Sequence, residues 1–289
     1  MSSDDRPGRA TPADLARDTA VRRLEVAPGW YTAELPEHWN FVSPSGGVLM
    51  TIAMRAMAAE LGDPALRPVS ATTLFCSPVP VGPLEIRVEV LRKGGAAAQL
   101  RAALSSTTLP GPGLEVSATF ARERSGPHVM PATPPALPRH DVAPVIEEIG
   151  RSGRRWPFFG NFDMRLAQGP RFWEPGWQAG EARFARWFRY RVPQLDASGK
   201  LDLMALPPIA DTMPPSMASY LGPQAGYYYP SLDLTVHFLE DTSCEWLLCA
   251  AYSRQARRGV ATAELEIWSD EGRLIAFATQ MMFMRRDPV

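Results

Sequence analysis

A chain of 289 residues, 45% hydrophobic and 21% charged, has ample apolar material for a buried core and room for two modest domains. Its 30 Lys and Arg against 31 Asp and Glu leave a net charge of −1, which argues against nucleic acid as a partner, since phosphate backbones select clustered positive charge. Met1 to Arg9 is polar with no apolar signal region, and no run approaches the roughly 18 apolar residues of a membrane span, so a cytoplasmic protein with no membrane partner is expected.

In chain order, Ala10 to Ala20 suits a short helix and Val21 to Leu35 a strand ended by Pro36. Ser43-Pro44-Ser45-Gly46-Gly47 supplies capping hydroxyls and a turn, and Val48 to Leu61 then reads as a helix. That helix is apolar nearly all round, broken only by Thr51, Arg55 and Glu60, so it is expected to be buried by a sheet wrapped around it. Leu84, Ile86, Val88 and Val90 alternate with Glu85, Arg87 and Glu89, the period of a half-buried antiparallel strand. Returning strands over Ala96 to Thr107 and Leu114 to Arg122 complete an α+β unit.

Six prolines from Pro127 to Pro144 suit neither a helix interior nor a ladder, and mark a stiff, extended linker. A second unit follows the same plan, with a helix within Leu206 to Leu221 whose regular part is expected from Asp211, after Pro207 and Pro208. Strands at Phe159 to Leu166, Gly180 to Val192, Ser231 to Phe238, Glu245 to Arg254, Gly259 to Trp268 and Arg273 to Met284 make up the rest. The expected organisation is an N-terminal unit over 1–125, a linker over 126–150 and a C-terminal unit over 151–289.

The two units are an internal repeat. Ser70 to Phe75 falls on Asp233 to Phe238 at an offset of 163, and the same offset carries Val48 onto Asp211. Gly95 to Arg101 lies on Gly259 to Leu265, and Leu114 to Phe120 on Leu274 to Gln280. Val48 therefore stands against Asp211 and Phe120 against Gln280, which points to one site per chain, in the second copy.

Asp211 taken alone serves equally well as an N-cap or first-turn carboxylate. Gln280 interrupts a strand of Leu274 to Met284 that is otherwise almost wholly apolar, where a carboxamide needs a partner, catalytic or structural. Ser231 alone reads as a strand-edge serine. His237 and His38 read as structural, and Arg151, Arg154 and Arg155 as a solvated loop or a phosphate contact. Cys76, Cys244 and Cys249 are expected as reduced thiols, and with four histidines they lack the spacing of a zinc site. No G-x-S-x-G elbow is present, which counts against a serine esterase of the α/β-hydrolase type.

The chain resembles the acyl-CoA thioesterase II family of double-hotdog proteins. The likeness rests on Ala210-Asp211, Ser231 to Phe238, Glu245-Trp246-Leu247-Leu248, Asp270 to Leu274, Ala278-Thr279-Gln280 with Met284-Arg285, and Gly46-Gly47 with Leu91 to Gly94 in the first half. It implies a double hotdog, two antiparallel sheets each around a long central helix, and a homodimer. It also implies hydrolysis of acyl-CoA without metal or cofactor, by a catalytic trio of Asp211, Gln280 and a hydroxyl, where Ser231 replaces the family threonine and Thr235 is the weaker substitute. Asp211 would then deprotonate a water held by Gln280 and Ser231, and amides at Gly46 and Gly47 could stabilise the oxyanion. The competing expectation is a protein that binds acyl-CoA or acyl chains on the same fold without turnover. A hotdog hydratase ranks last, since the Asp211 segment carries no histidine.

Overall fold

The computed structural model describes residues 12–25, 27–146 and 156–286. Arg151, Arg154 and Arg155 lie outside them. In chain order the elements are α1 (Leu15–Asp18), β1 (Arg22–Arg23), β2 (Trp30–Leu35), α2 (Gly46–Leu61), β3 (Arg67–Phe75), β4 (Gly82–Lys93), β5 (Ala97–Ser106) and β6 (Leu114–Ala121). The second half contributes β7 (Phe162–Gln168), β8 (Arg183–Tyr190), α3 (Leu206–Ala210), α4 (Pro215–Leu221), β9 (Tyr227–Tyr228), β10 (Asp233–Phe238), β11 (Leu247–Tyr252), β12 (Ala256–Arg257), β13 (Val260–Ser269), β14 (Leu274–Phe283) and β15 (Arg285–Arg286).

The two halves do not form separate sheets, and β9 pairs only with β15. Thirteen strands make one antiparallel sheet in the order β1-β2-β4-β5-β6-β3-β10-β14-β13-β11-β8-β7, with β12 on β13, so the halves join through β3 and β10. At that seam Thr72 pairs with Thr235, the residue 163 positions on that the repeat equates with it, and their hydroxyls lie 2.9 Å apart. Only at an axis of two-fold pseudo-symmetry can equivalent residues face each other, so the axis runs between these threonines.

Among the described residues the long central helix is present once. Ser45 caps α2 by accepting from the Val48 amide, Gly62 ends it with φ +59°, and Val48, Met50, Ile52, Ala53, Met54, Ala56 and Met57 are fully buried. Each polar residue it carries is matched. Thr51 donates to the Gly47 and Met204 carbonyls, Arg55 reaches Thr19 at 2.8 Å and Asp202 at 2.7 Å, and Glu60 accepts from Tyr31 at 2.7 Å. Two of these partners, Met204 and Asp202, belong to the second half, so the helix ties the halves together.

In the second half the expected single helix is two short ones. Pro214 has no amide hydrogen to continue the ladder from Ala210, and its ring forbids the preceding turn, so α3 stops and α4 starts afresh with Pro215 in its first turn. Asp211 thus ends a helix, with φ −75° and ψ 27°, rather than beginning one.

Residues 122–144 carry no helix or strand. This proline-rich stretch runs along the outside of the second half, where Trp187 donates to the Pro138 carbonyl at 2.9 Å and His140 stacks on Trp246 at 4.9 Å. It covers an apolar patch of Trp187, Trp246, Leu248 and Trp268 that would otherwise face water. The outer face of β4 needs no such cover, because Glu85, Arg87 and Glu89 occupy it, as their alternation predicts. No helix among the described residues is long and apolar enough to cross a membrane.

The ladder registers correct the repeat at two strands, by one residue in β5 against β13 and by two in β6 against β14. Pro68 pairs with Phe120 and Ser231 with Met282, while Leu100 pairs with Ala118 and Ala263 with Gln280. Ala118, not Phe120, therefore occupies the place of Gln280, and Leu100 that of Ala263. A two-residue slip preserves the inward face of a strand, which is why alternation alone does not detect it. In the first half the three positions equivalent to Asp211, Ser231 and Gln280 are Val48, Pro68 and Ala118, all apolar.

Candidate active site

Asp211, Ser231 and Gln280 reach one point from three elements. The break between α3 and α4 leaves the Asp211 side chain outside any helical ladder, the bridge of Ser231 to Met282 sets Ser231 beside β14, and the alternation of β14 turns Gln280 inward. Gln280 donates through Nε2 to Asp211 Oδ1 at 2.7 Å and to Ser231 Oγ at 2.5 Å, and Ser231 Oγ donates to the same carboxylate oxygen at 3.3 Å. Gln280 Oε1 is buried with no partner among the described residues.

The other carboxylate oxygen belongs to the first half. Asp211 Oδ2 accepts from the Gly47 amide at 3.0 Å, at the N-terminus of α2. A 16-residue helix thus points its positive end at a carboxylate from the opposite copy. Both glycines are needed for this approach. A Cβ on Gly46 would sit 2.5 Å from the Phe75 ring and 3.1 Å from Asp211 Oδ2, and one on Gly47 would sit 2.2 Å from the Pro207 carbonyl oxygen. The expectation that both amides stand open for an oxyanion changes accordingly, because Gly47 already serves the carboxylate.

Asp211 is 8% exposed and Gln280 2%. Burial pushes the Asp211 carboxyl up to about 6, and the hydrogen bonds from Gly47, Gln280, Ser231 and Gly46 each pull it back down. Desolvation wins, leaving a carboxylate that is ionised at neutral pH yet far more basic than an exposed one. Such a group accepts a proton from water, and the amide and hydroxyl beside it can aim that water.

The remaining candidates lie elsewhere. Thr235 faces Thr72 across the seam, and His237 is exposed on the outer face against the Phe277 ring at 6.3 Å. The His38 carbonyl accepts from Asn161 at 2.8 Å, a structural contact. Cys249 is buried, which pushes its thiol up to about 12 and leaves it inert.

Two contributors escaped the sequence. The Gly47 amide acts through the backbone and leaves no residue-type signal. Arg186, 2% exposed, donates to the Thr212 carbonyl at 3.3 Å beside Asp211, with its guanidinium 4.8 to 5.4 Å from the rings of Phe159, Phe184 and Phe188. Its signal was a lone cation within Phe184-Ala185-Arg186-Trp187-Phe188.

Two family models match the chain, an acyl-CoA thioesterase C-terminal domain over residues 131–284 and an acyl-CoA thioesterase N-terminal domain over residues 35–121. A comparison with curated protein sequences gives no significant match. Among solved structures, the chain is similar to a conserved hot dog protein of unknown function from Alicyclobacillus acidocaldarius, at 21% identity and a TM-score of 0.78, over 95% of this chain and 98% of that one. It is similar to the acyl-CoA thioesterase II TesB2 of Mycobacterium marinum at 22% identity and a TM-score of 0.73, over 95% and 99% of the two chains. The tesB protein of Mycobacterium avium subs paratuberculosis is 18% identical with a TM-score of 0.71, over 94% and 98%. At these identities the structures establish the hotdog fold.

Proposed function

The chain belongs to the acyl-CoA thioesterase family and is a thioesterase, and from that premise we propose that it hydrolyses acyl-CoA at the cluster of Asp211, Ser231 and Gln280. The observation that carries this reading is the buried carboxylate held from both copies, by the Gly47 amide on one oxygen and by Gln280 and Ser231 on the other.

Asp211 takes a proton from water as the oxygen attacks the thioester carbonyl carbon, a general-base contribution of about 10²- to 10⁴-fold. The carbonyl π pair moves to the oxygen, and collapse of the tetrahedral intermediate expels the CoA thiolate, which the proton on Asp211 can neutralise. Ser231 and Gln280 Oε1, an acceptor with no partner among the described residues, orient the water. The positive end of α2 stabilises the negative charge that develops on the oxyanion. Gly47 holds the base in place, and Gly46 leaves room for it. The three steps need no metal or cofactor. A homodimer belongs to the same reading and is measured by light scattering.

The test is release of free thiol from a panel of acyl-CoAs by the native protein and by Asp211→Asn and Gln280→Ala. Loss in both variants, with the fold intact by circular dichroism, is expected. Unchanged hydrolysis would remove these residues from the chemistry, and no hydrolysis at any chain length would favour binding without turnover.

A further inference from the structure

Two paired segments lead from the site to the surface. Ser231 is three residues beyond β9, and Gln280 is five before β15, which at about 3.3 Å per residue spans roughly 17 Å. β9 and β15 pair with each other, Tyr228 opposite Arg285 and Tyr227 opposite Arg286, and Pro230 accepts from the Phe283 amide on the way. Beside them the Met284 amide donates to the Gly259 carbonyl, which brings the turn Arg257-Arg258-Gly259-Val260 against the same rim.

Four exposed arginines therefore gather at one end of the buried site: Arg257, Arg258, Arg285 and Arg286. The nearby Arg254 is taken by Glu264 at 2.5 Å, but no ion pair joins any of the four to a carboxylate among the described residues. Arg286 lies over the Tyr227 ring at 5.8 Å and Arg285 over Phe283 at 5.1 Å, so cations and aromatic faces alternate. Arg258 has φ +55°, the only positive φ outside glycine among the described residues, in a turn where Asn or Gly would sit without strain. A cation is held there at a conformational cost, in a chain with a net charge of −1.

Resting on the thioesterase reading, we propose that this rim binds the nucleotide end of the CoA carrier. The arginines take its phosphates through charge-assisted hydrogen bonds, and Tyr227 and Tyr228 offer faces for the adenine. The span from Gln280 to β15 is comparable to an extended pantetheine arm, which lets the thioester reach Asp211 while the phosphates stay in solvent contact.

Calorimetric titration with adenosine 3′,5′-bisphosphate tests the rim apart from turnover. The native protein is expected to bind it, and the double variant Arg285→Glu/Arg286→Glu to bind at least about tenfold more weakly, with Arg285→Lys/Arg286→Lys intermediate. In parallel, the ratio of kcat/KM for an acyl-CoA to that for the matching S-acyl pantetheine should fall about tenfold or more in the charge-reversed variant, mostly through KM. Equal bisphosphate binding in native and charge-reversed proteins, or an unchanged ratio, would overturn the proposal. So would a loss confined to an acidic acyl carrier protein substrate. If the native protein hydrolysed no thioester yet lost bisphosphate binding on charge reversal, the rim would stand and the hydrolase reading would fall.

Discussion

The two halves share one plan and differ at its centre. The first keeps an unbroken helix, buried along its length, with Val48, Pro68 and Ala118 at the key positions. The second breaks its helix at Asp211 and places Asp211, Ser231 and Gln280 at the equivalent points. An unbroken helix offers amides at its start, and a broken one frees a side chain at its gap. Placed across a pseudo-two-fold axis, the first supplies the Gly47 amide and the second the carboxylate that accepts it. Two copies of one plan that differ at these three positions thus form one hydrogen-bonded cluster built from both halves.

The largest break in this comparison is expected from Gln280→Ala against its twin, Ala118→Gln. Gln280→Ala should lower kcat by about 10²-fold and stability by about 1–3 kcal/mol, since it removes water orientation and two buried hydrogen bonds, one of them to the base. Ala118→Gln should leave kcat near native but destabilise by about 1–3 kcal/mol, because its buried carboxamide meets no carboxylate. Chemical denaturation with matched steady-state kinetics separates the two.

Gly47→Ala acts at the junction itself. Its Cβ would meet the Pro207 carbonyl at 2.2 Å, backbone that cannot step aside as a side chain end can. A loss of about 1–3 kcal/mol in stability, with a fall in kcat as Asp211 loses its anchor, is expected. Full activity would mean that the helix start does not hold the base.

Much of this was legible in the sequence, and the exceptions have physical causes. The alternation at Leu84 to Val90 placed β4 because one face is buried and the other meets water, and the lone Asp211 and Gln280 in apolar segments are polar groups that the structure brings together. Pro214 and Pro215 break the segment after Asp211, but the run of apolar residues across them reads as one helix beginning there. Whether the halves form two sheets or one depends on hydrogen bonds between β3 and β10, which side-chain patterns do not encode. The Gly47 contact is likewise a backbone event.

An effect of similar size is expected in stability against pH. A carboxyl raised from 3.8 to about 6 on folding binds its proton more tightly in the folded state. Its contribution is full below its unfolded value and is lost as pH rises through about 6, where ionised Asp211 costs the fold about 3 kcal/mol. Asp211→Asn should flatten this part of the stability curve between pH 4 and pH 7, in urea titrations at several pH values. Thr72→Val with Thr235→Val should do least, about 1 kcal/mol or less, since it removes one part-buried hydrogen bond at the seam and leaves the ladder intact.

The most direct test of a single site with Asp211 as its base is the pH dependence of kcat/KM for acyl-CoA hydrolysis. The native protein should show a limb rising with pH through an apparent pKa of about 6, and Asp211→Asn should lack that limb and retain about 1% of the activity or less. The same limb in Asp211→Asn, or a rate independent of pH from 5 to 8 in the native protein, would contradict it.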